Sequence, residues 1–132
     1  MTQTPFRAGS SGFDEVNGFR VTEAGPDRTV VEWDVSSQHL QPNGIVHGGV
    51  YCSVIETAAS VGAAFWLGER GSVVGVSNQT DFLRAINSGH LTAVATPIHR
   101  GRSQQLWQVE ITDERERRVA RGQVRLQNLQ TS

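Results

Sequence analysis

Lysine is absent from the 132-residue chain: all 12 basic residues are arginine, against 13 acidic ones, for a formal net charge of −1. No mechanism is read from that bias. The near balance of charge, with no block of like charge outside the mixed turn at residues 114–118, removes the electrostatic footprint of a duplex-binding protein. Nucleic acid is not an expected partner. Cysteine is nearly absent as well. A lone Cys52 cannot close an internal disulfide, and four scattered histidines without a second cysteine offer no zinc spacing, so no metal is expected. Residues 1–12 lack the apolar core of a secretory signal, and no stretch reaches the roughly 18 apolar residues that would span a bilayer. The expectation is a cytoplasmic protein without a membrane partner.

Counting glycine with the apolar residues, about 47% of the chain is apolar, within the globular range. Disorder is therefore not the default, and a chain of this length buries roughly two-thirds of its unfolded surface without staples. Residues 1–12 read as a flexible lead-in and residues 13–128 as one domain. In segment 28–36 Thr29, Val31, Trp33 and Val35 alternate with Glu32 and Asp34, a half-buried strand whose hairpin partner is segment 18–24. Four extended segments follow later, at 72–83, 90–99, 104–112 and 118–127, and read as successive antiparallel strands. Pro97 removes a ladder donor from the second of them and implies an edge position or a bulge.

Between these strands lies segment 48–67, apolar or small at almost every position and too long for a strand. It reads as a helix ended by Gly68 and, being apolar nearly all round, as one wrapped by the sheet. The order of elements predicts an α+β domain, a curved antiparallel sheet around one central helix. Glu56 is the only charge between His47 and Glu69, in the middle of that helix. A carboxylate there is either a functional acid or a structural group, paired through a tertiary contact or set on an exposed helix face. Ser60 falls on the same face one turn later, where it either orients Glu56 or permits close packing.

The sequence His47-Gly48-Gly49 stands where the helix begins. Free N–H groups at a helix start, unscreened by side chains, suit an oxygen that becomes negative during attack on a carbonyl; the plainer reading is a tight turn capped by His47. Gln41 precedes it in a loop. Gly48 and Glu56 are eight helical residues apart, about 12 Å. One reacting carbonyl needs its donor and its nucleophile within roughly 3 Å, so if both residues act, they come from different subunits of a twofold dimer.

Gln41, His47-Gly48-Gly49, Glu56 and Ser60, followed by segment 78–84 and by His99-Arg100-Gly101-Arg102, resemble the hotdog-fold acyl-CoA thioesterases. The resemblance covers residues 13–128, with its elements in family order, and is nearest the phenylacetate-pathway and Arthrobacter-type 4-hydroxybenzoyl-CoA thioesterases. It implies dimers that share two sites and often pair into tetramers. It implies further that Gly48 N–H polarises the thioester carbonyl, that His47 and Gln41 position the thioester or water, and that Glu56 of the neighbouring chain, assisted by Ser60, is nucleophile or general base. Arg100, Arg102 and Ser103 fall where the family holds the phosphates of coenzyme A, and Asn78 and Phe82 fall among the substrate-binding positions. The substrate would be an acyl-CoA or an acyl group on a carrier protein, hydrolysed without a cofactor.

Two other readings use the same scaffold. A hotdog enoyl-CoA hydratase or dehydratase pairs its histidine with an acid in a different motif, and here His47 is followed by two glycines. A non-catalytic acyl-CoA sensor would bring a DNA-binding segment, for which 132 residues leave no room.

Overall fold

The computed structural model describes residues 12–131. The expected lead-in therefore lies outside the described residues, apart from Gly12, which opens a short helix, α1 (Gly12–Val16). There follow β1 (Arg20–Glu23), β2 (Thr29–Asp34), a 3-10 turn (Ser37–His39), the long helix α2 (Gly48–Leu67), β3 (Gly71–Phe82), β4 (His90–Arg100), β5 (Gln104–Thr112) and β6 (Arg118–Gln130). All strand pairings are antiparallel, in the order β1-β2-β4-β5-β6-β3.

Alternation sets the inner face of the sheet. Thr29, Val31 and Trp33 of β2, Gln105, Trp107, Val109 and Ile111 of β5, and Ala120, Val124 and Leu126 of β6 are buried against α2. The expected hairpin of β1 and β2 forms. Pro97 lies on β4 past Ala95, where the pairing with β2 ends, and beside a register shift between Pro97 and His99 on the β5 side, so the local edge position and the bulge are both found. The four later strands are not simply successive. β3 crosses to the far edge and pairs along its whole length with β6, because its twelve residues return along the helix after the turn at Gly68. One side of β3 is left without a strand partner among the described residues.

The helix begins and ends as expected, with His47 as its N-cap and Gly68 at φ 61°, a left-handed conformation suited to glycine. Two expectations about it are corrected. By length and composition, Gly48–Arg70 is apolar enough to cross a membrane, because a few small polar residues hardly lower its mean hydropathy; here 56% of that window is buried in the domain. Nor is the helix covered all round. Tyr51, Val54, Ile55, Ala58, Ala59 and Ala63 face the sheet, whereas Gly49, Ser53, Glu56, Thr57 and Ser60 form an arc at helical spacing that the sheet leaves partly open. Glu56 is accordingly exposed in the single chain and not buried, which is the exposed-face alternative of the sequence reading.

Candidate active site

His47 and the two glycines divide the work of starting α2. The His47 ring accepts the Gly49 N–H at Nδ1, 2.8 Å away, so in the neutral ring the proton lies on Nε2. The plainer reading of this residue, a helix cap, is thus realised, and it also fixes the tautomer that would present an N–H outward. Gly48 is the first helical residue, and its N–H has no intrahelical acceptor. A Cβ on Gly48 would stand 2.5 Å from Cζ of Phe82, so any larger residue there has to push that ring aside. The glycine pair thus lets two rings lie close to the helix start, that of His47 on Gly49 and that of Phe82 on Gly48.

Gly48 opens into a cavity of about 390 Å³ lined by Gln41, Ile45, Tyr51, Phe82, Leu83 and Arg84 among others. The loop carrying Gln41 is tightly tied. Its main chain bonds Ile45 and Gly44, and its side-chain Oε1 accepts the Asn43 N–H at 3.0 Å. Phe82, one of the expected binding residues, is the last residue of β3 and more than half exposed. Asn78, another, instead ties β3 to α2, its Nδ2 donating to the Cys52 carbonyl at 3.0 Å and its Oδ1 accepting the Thr80 hydroxyl at 2.7 Å.

Glu56 belongs to a different hollow, shared with Phe13, Ser53 and Thr57. Among the described residues it forms no ion pair, so the structural alternative of a tertiary salt bridge is not realised in this chain. Its carboxylate lies against Gly75, where an added Cβ would stand 3.2 Å from Oε2. Gly75 thus lets the acid rest on the free-edged strand. Thr57 beside it donates to Asp14 at 2.8 Å and fastens α1 over the helix face. Ser60 lies half-buried on the same face, one turn on.

The arginines occupy the other end of the helix. Arg100 donates through Nη1 to the Pro26 carbonyl at 2.6 Å and to Asp27 at 2.9 Å, and its guanidinium lies 5.8 Å from the ring of Trp66. Arg102 and Ser103 are exposed in the β4–β5 turn, which Asn128 holds by donating to the Gly101 and Arg102 carbonyls, each at 3.0 Å. Trp66 is eighteen residues from Gly48, about 27 Å along the axis, but only about 15 Å from Glu56. Within one chain the turn is therefore nearer the acid than the helix start.

Two contributors were not singled out from sequence. Gly75 shows itself only through register, because nothing local marks the strand residue that will meet a helix carboxylate. Tyr51 reads as core, although its place three residues after Gly48 puts it on the same helical face.

Comparison with known proteins agrees with this architecture. The sequence model of the thioesterase superfamily matches residues 43–120. A Mycobacterium tuberculosis protein bearing an esterase name is 57% identical over 121 residues, 89% of this chain and 86% of that protein. Its solved structure matches with a TM-score of 0.88, covering 91% and 98% of the two chains. The 1,4-dihydroxy-2-naphthoyl-CoA hydrolase of Listeria monocytogenes is 36% identical over 106 residues, 80% of this chain and 86% of its own. A solved thioesterase from Haemophilus influenzae shares 31% identity with a TM-score of 0.88, covering 92% and 85%. With its antiparallel sheet around a single long helix, the chain belongs to the thioesterase superfamily and is a thioester hydrolase of the hotdog fold.

Proposed function

We propose that this thioester hydrolase acts on acyl-CoA and builds each site from two chains, with Glu56 of one protomer beside the Gly48 N–H of its twin. The observation that carries the reading is the state of Glu56: a carboxylate without an ion pair among the described residues, on the uncovered face of an otherwise apolar helix, lying on the edge strand β3. In the single chain it opens to a different hollow from Gly48, so a cis arrangement has donor and acid about 12 Å apart.

The edge of β3 supports the pairing. Twelve residues without proline or lysine, exposing Val74 and Val76 on either side of a register shift at Gly75–Ser77, form a long free edge for another strand. A twofold axis through two such edges would extend the sheet and lay the two α2 faces together. The Arg100–Ser103 turn would then hold the coenzyme A phosphates on the protomer that supplies Glu56.

The chemistry needs little else. Gly48 N–H and the outward N–H of His47 would meet the charge growing on the carbonyl oxygen, and Gln41 would hold the thioester in place. Glu56 either adds to the carbon, giving a mixed anhydride that water opens, or takes a proton from attacking water. Both routes cleave the carbon–sulfur bond and release acid and thiol.

Glu56→Ala should fold as the parent does, since the side chain is exposed and has no ion pair to lose. Its kcat for thiol release should fall by about a thousandfold or more. Near-parental turnover of a purified, folded variant would remove Glu56 from the reaction.

A further inference from the structure

We infer that Tyr51 is a recognition residue for the acyl group, its phenol pairing with a polar substituent on the acyl body once Phe82 swings aside. This rests on the hydrolase reading above. Tyr51 is the only tyrosine in the chain, and it is 3% exposed. Its hydroxyl is sealed from water and has no hydrogen-bond partner; among the described residues only Trp33 Nε1 shares that condition. Trp33 is packed in the core against Phe19, whereas Tyr51 lines the cavity into which Gly48 opens. Buried polar groups are paired almost without exception, so an orphan on the wall of a cavity points to a partner that arrives from outside.

The neighbours of the ring agree. Helical side chains lean toward the N-terminus, which aims Tyr51 at the turn that carries Gly48. Phe82 stands 6.0 Å from it, ring centre to ring centre, and presses on Gly48 as well. Phe82 is also 57% exposed, at the end of an edge strand, and an exposed side chain of this kind changes rotamer readily. One rotation would uncover both the Gly48 surface and the wall formed by Tyr51. Burial pushes the phenol up to about 12, so it keeps its proton and stays a donor at any working pH. Two aromatic rings with Ile45 and Leu83 around them suit a flat apolar acyl body, and the phenol supplies the single polar point that distinguishes a hydroxylated one from a bare one.

The test compares kcat/KM for thiol release from benzoyl-CoA with that from its ortho-, meta- and para-hydroxylated analogues, for the full chain and for Tyr51→Phe. The parent should prefer at least one hydroxylated analogue by about tenfold, and that ratio should collapse toward unity in the variant. The variant's melting temperature should be no lower than the parent's, because the hydroxyl has no protein partner to lose. A preference that survives in Tyr51→Phe, a parent without preference, or a melting temperature several degrees lower would overturn the assignment of Tyr51 while leaving hydrolysis intact. No thiol release from any of the four by a parent that hydrolyses an aliphatic acyl-CoA such as hexanoyl-CoA would also overturn the assignment of Tyr51, whereas no release from that substrate either would overturn the acyl-CoA reading above, and this inference with it.

Discussion

His90 sits between two carboxylates on the outer face of the sheet, with Nδ1 2.8 Å from Asp34 and Nε2 2.8 Å from Glu32. Both ring nitrogens must donate to make those bonds, so the pair favours the imidazolium. The Asp34 bond first and the Glu32 bond second hold the His90 pKa above its usual 6.5. Since the folded value lies above the unfolded one, the stabilisation is complete below the unfolded pKa and fades as pH rises through the folded one. The carboxylates work in the opposite direction. Glu32 is lowered by its bonds to Thr22 and His90, and Asp34 by its bond to His90, so their support is present above their unfolded values and lost as pH falls through the folded ones. Melting temperature should therefore decline between about pH 6 and 8 in the parent and decline less in His90→Gln. Parallel curves for the two proteins would refute the coupling. Glu56 shows how far a single residue is legible. Its place as the only charge in an apolar helix marks it from composition alone, but its exposure follows from an arc of Gly, Ser and Thr too weakly polar to reveal which face the sheet leaves open.

At the scale of elements, α2 is held to the sheet by close packing, by the bond from Asn78 to the Cys52 carbonyl and by a buried polar cluster. Gln105 is buried and donates to the Ala63 carbonyl at 3.2 Å and to Asn128 at 2.9 Å, while its oxygen accepts the Trp107 Nε1 proton at 2.8 Å. Trp107 is thereby fixed above Gly62, where an added Cβ would stand 2.6 Å from the ring. Gly62→Ala, otherwise favourable for a helix, should destabilise the fold by about 1–3 kcal/mol in urea denaturation, because the indole has no room to retreat. An unchanged or raised midpoint would show that the helix and sheet can separate without strain. The ends of α2 and the inner faces of β2, β5 and β6 are legible from capping residues and alternation, both local signals. The crossing of β3 to pair with β6 is not, because strand order depends on contacts between residues far apart in sequence. Pro97 likewise signals an interrupted ladder without saying whether a bulge or an edge resolves it.

For the whole molecule, the hollow of Glu56 and the cavity of Gly48 lie apart along one helix, and the free edge of β3 runs beside the acid. The proposed shared sites would bring the two together. The proposal is open to complementation. Glu56→Ala removes the acid, and Gly48→Pro in a Phe82→Ala background removes the N–H while clearing the ring that blocks a larger residue; proline is accepted at a first helical position. Each variant should be inactive alone, and the unsubstituted chain sets the reference rate, because the intact site of a mixed dimer takes both Gly48 and the Phe82 beside it from the Glu56→Ala chain. Half of the dimers in an equal co-refolded mixture are mixed, and each mixed dimer holds one intact site of two. Thiol release should therefore return to about one quarter of the reference, whereas a mixture as inactive as its components would contradict a site built across two chains.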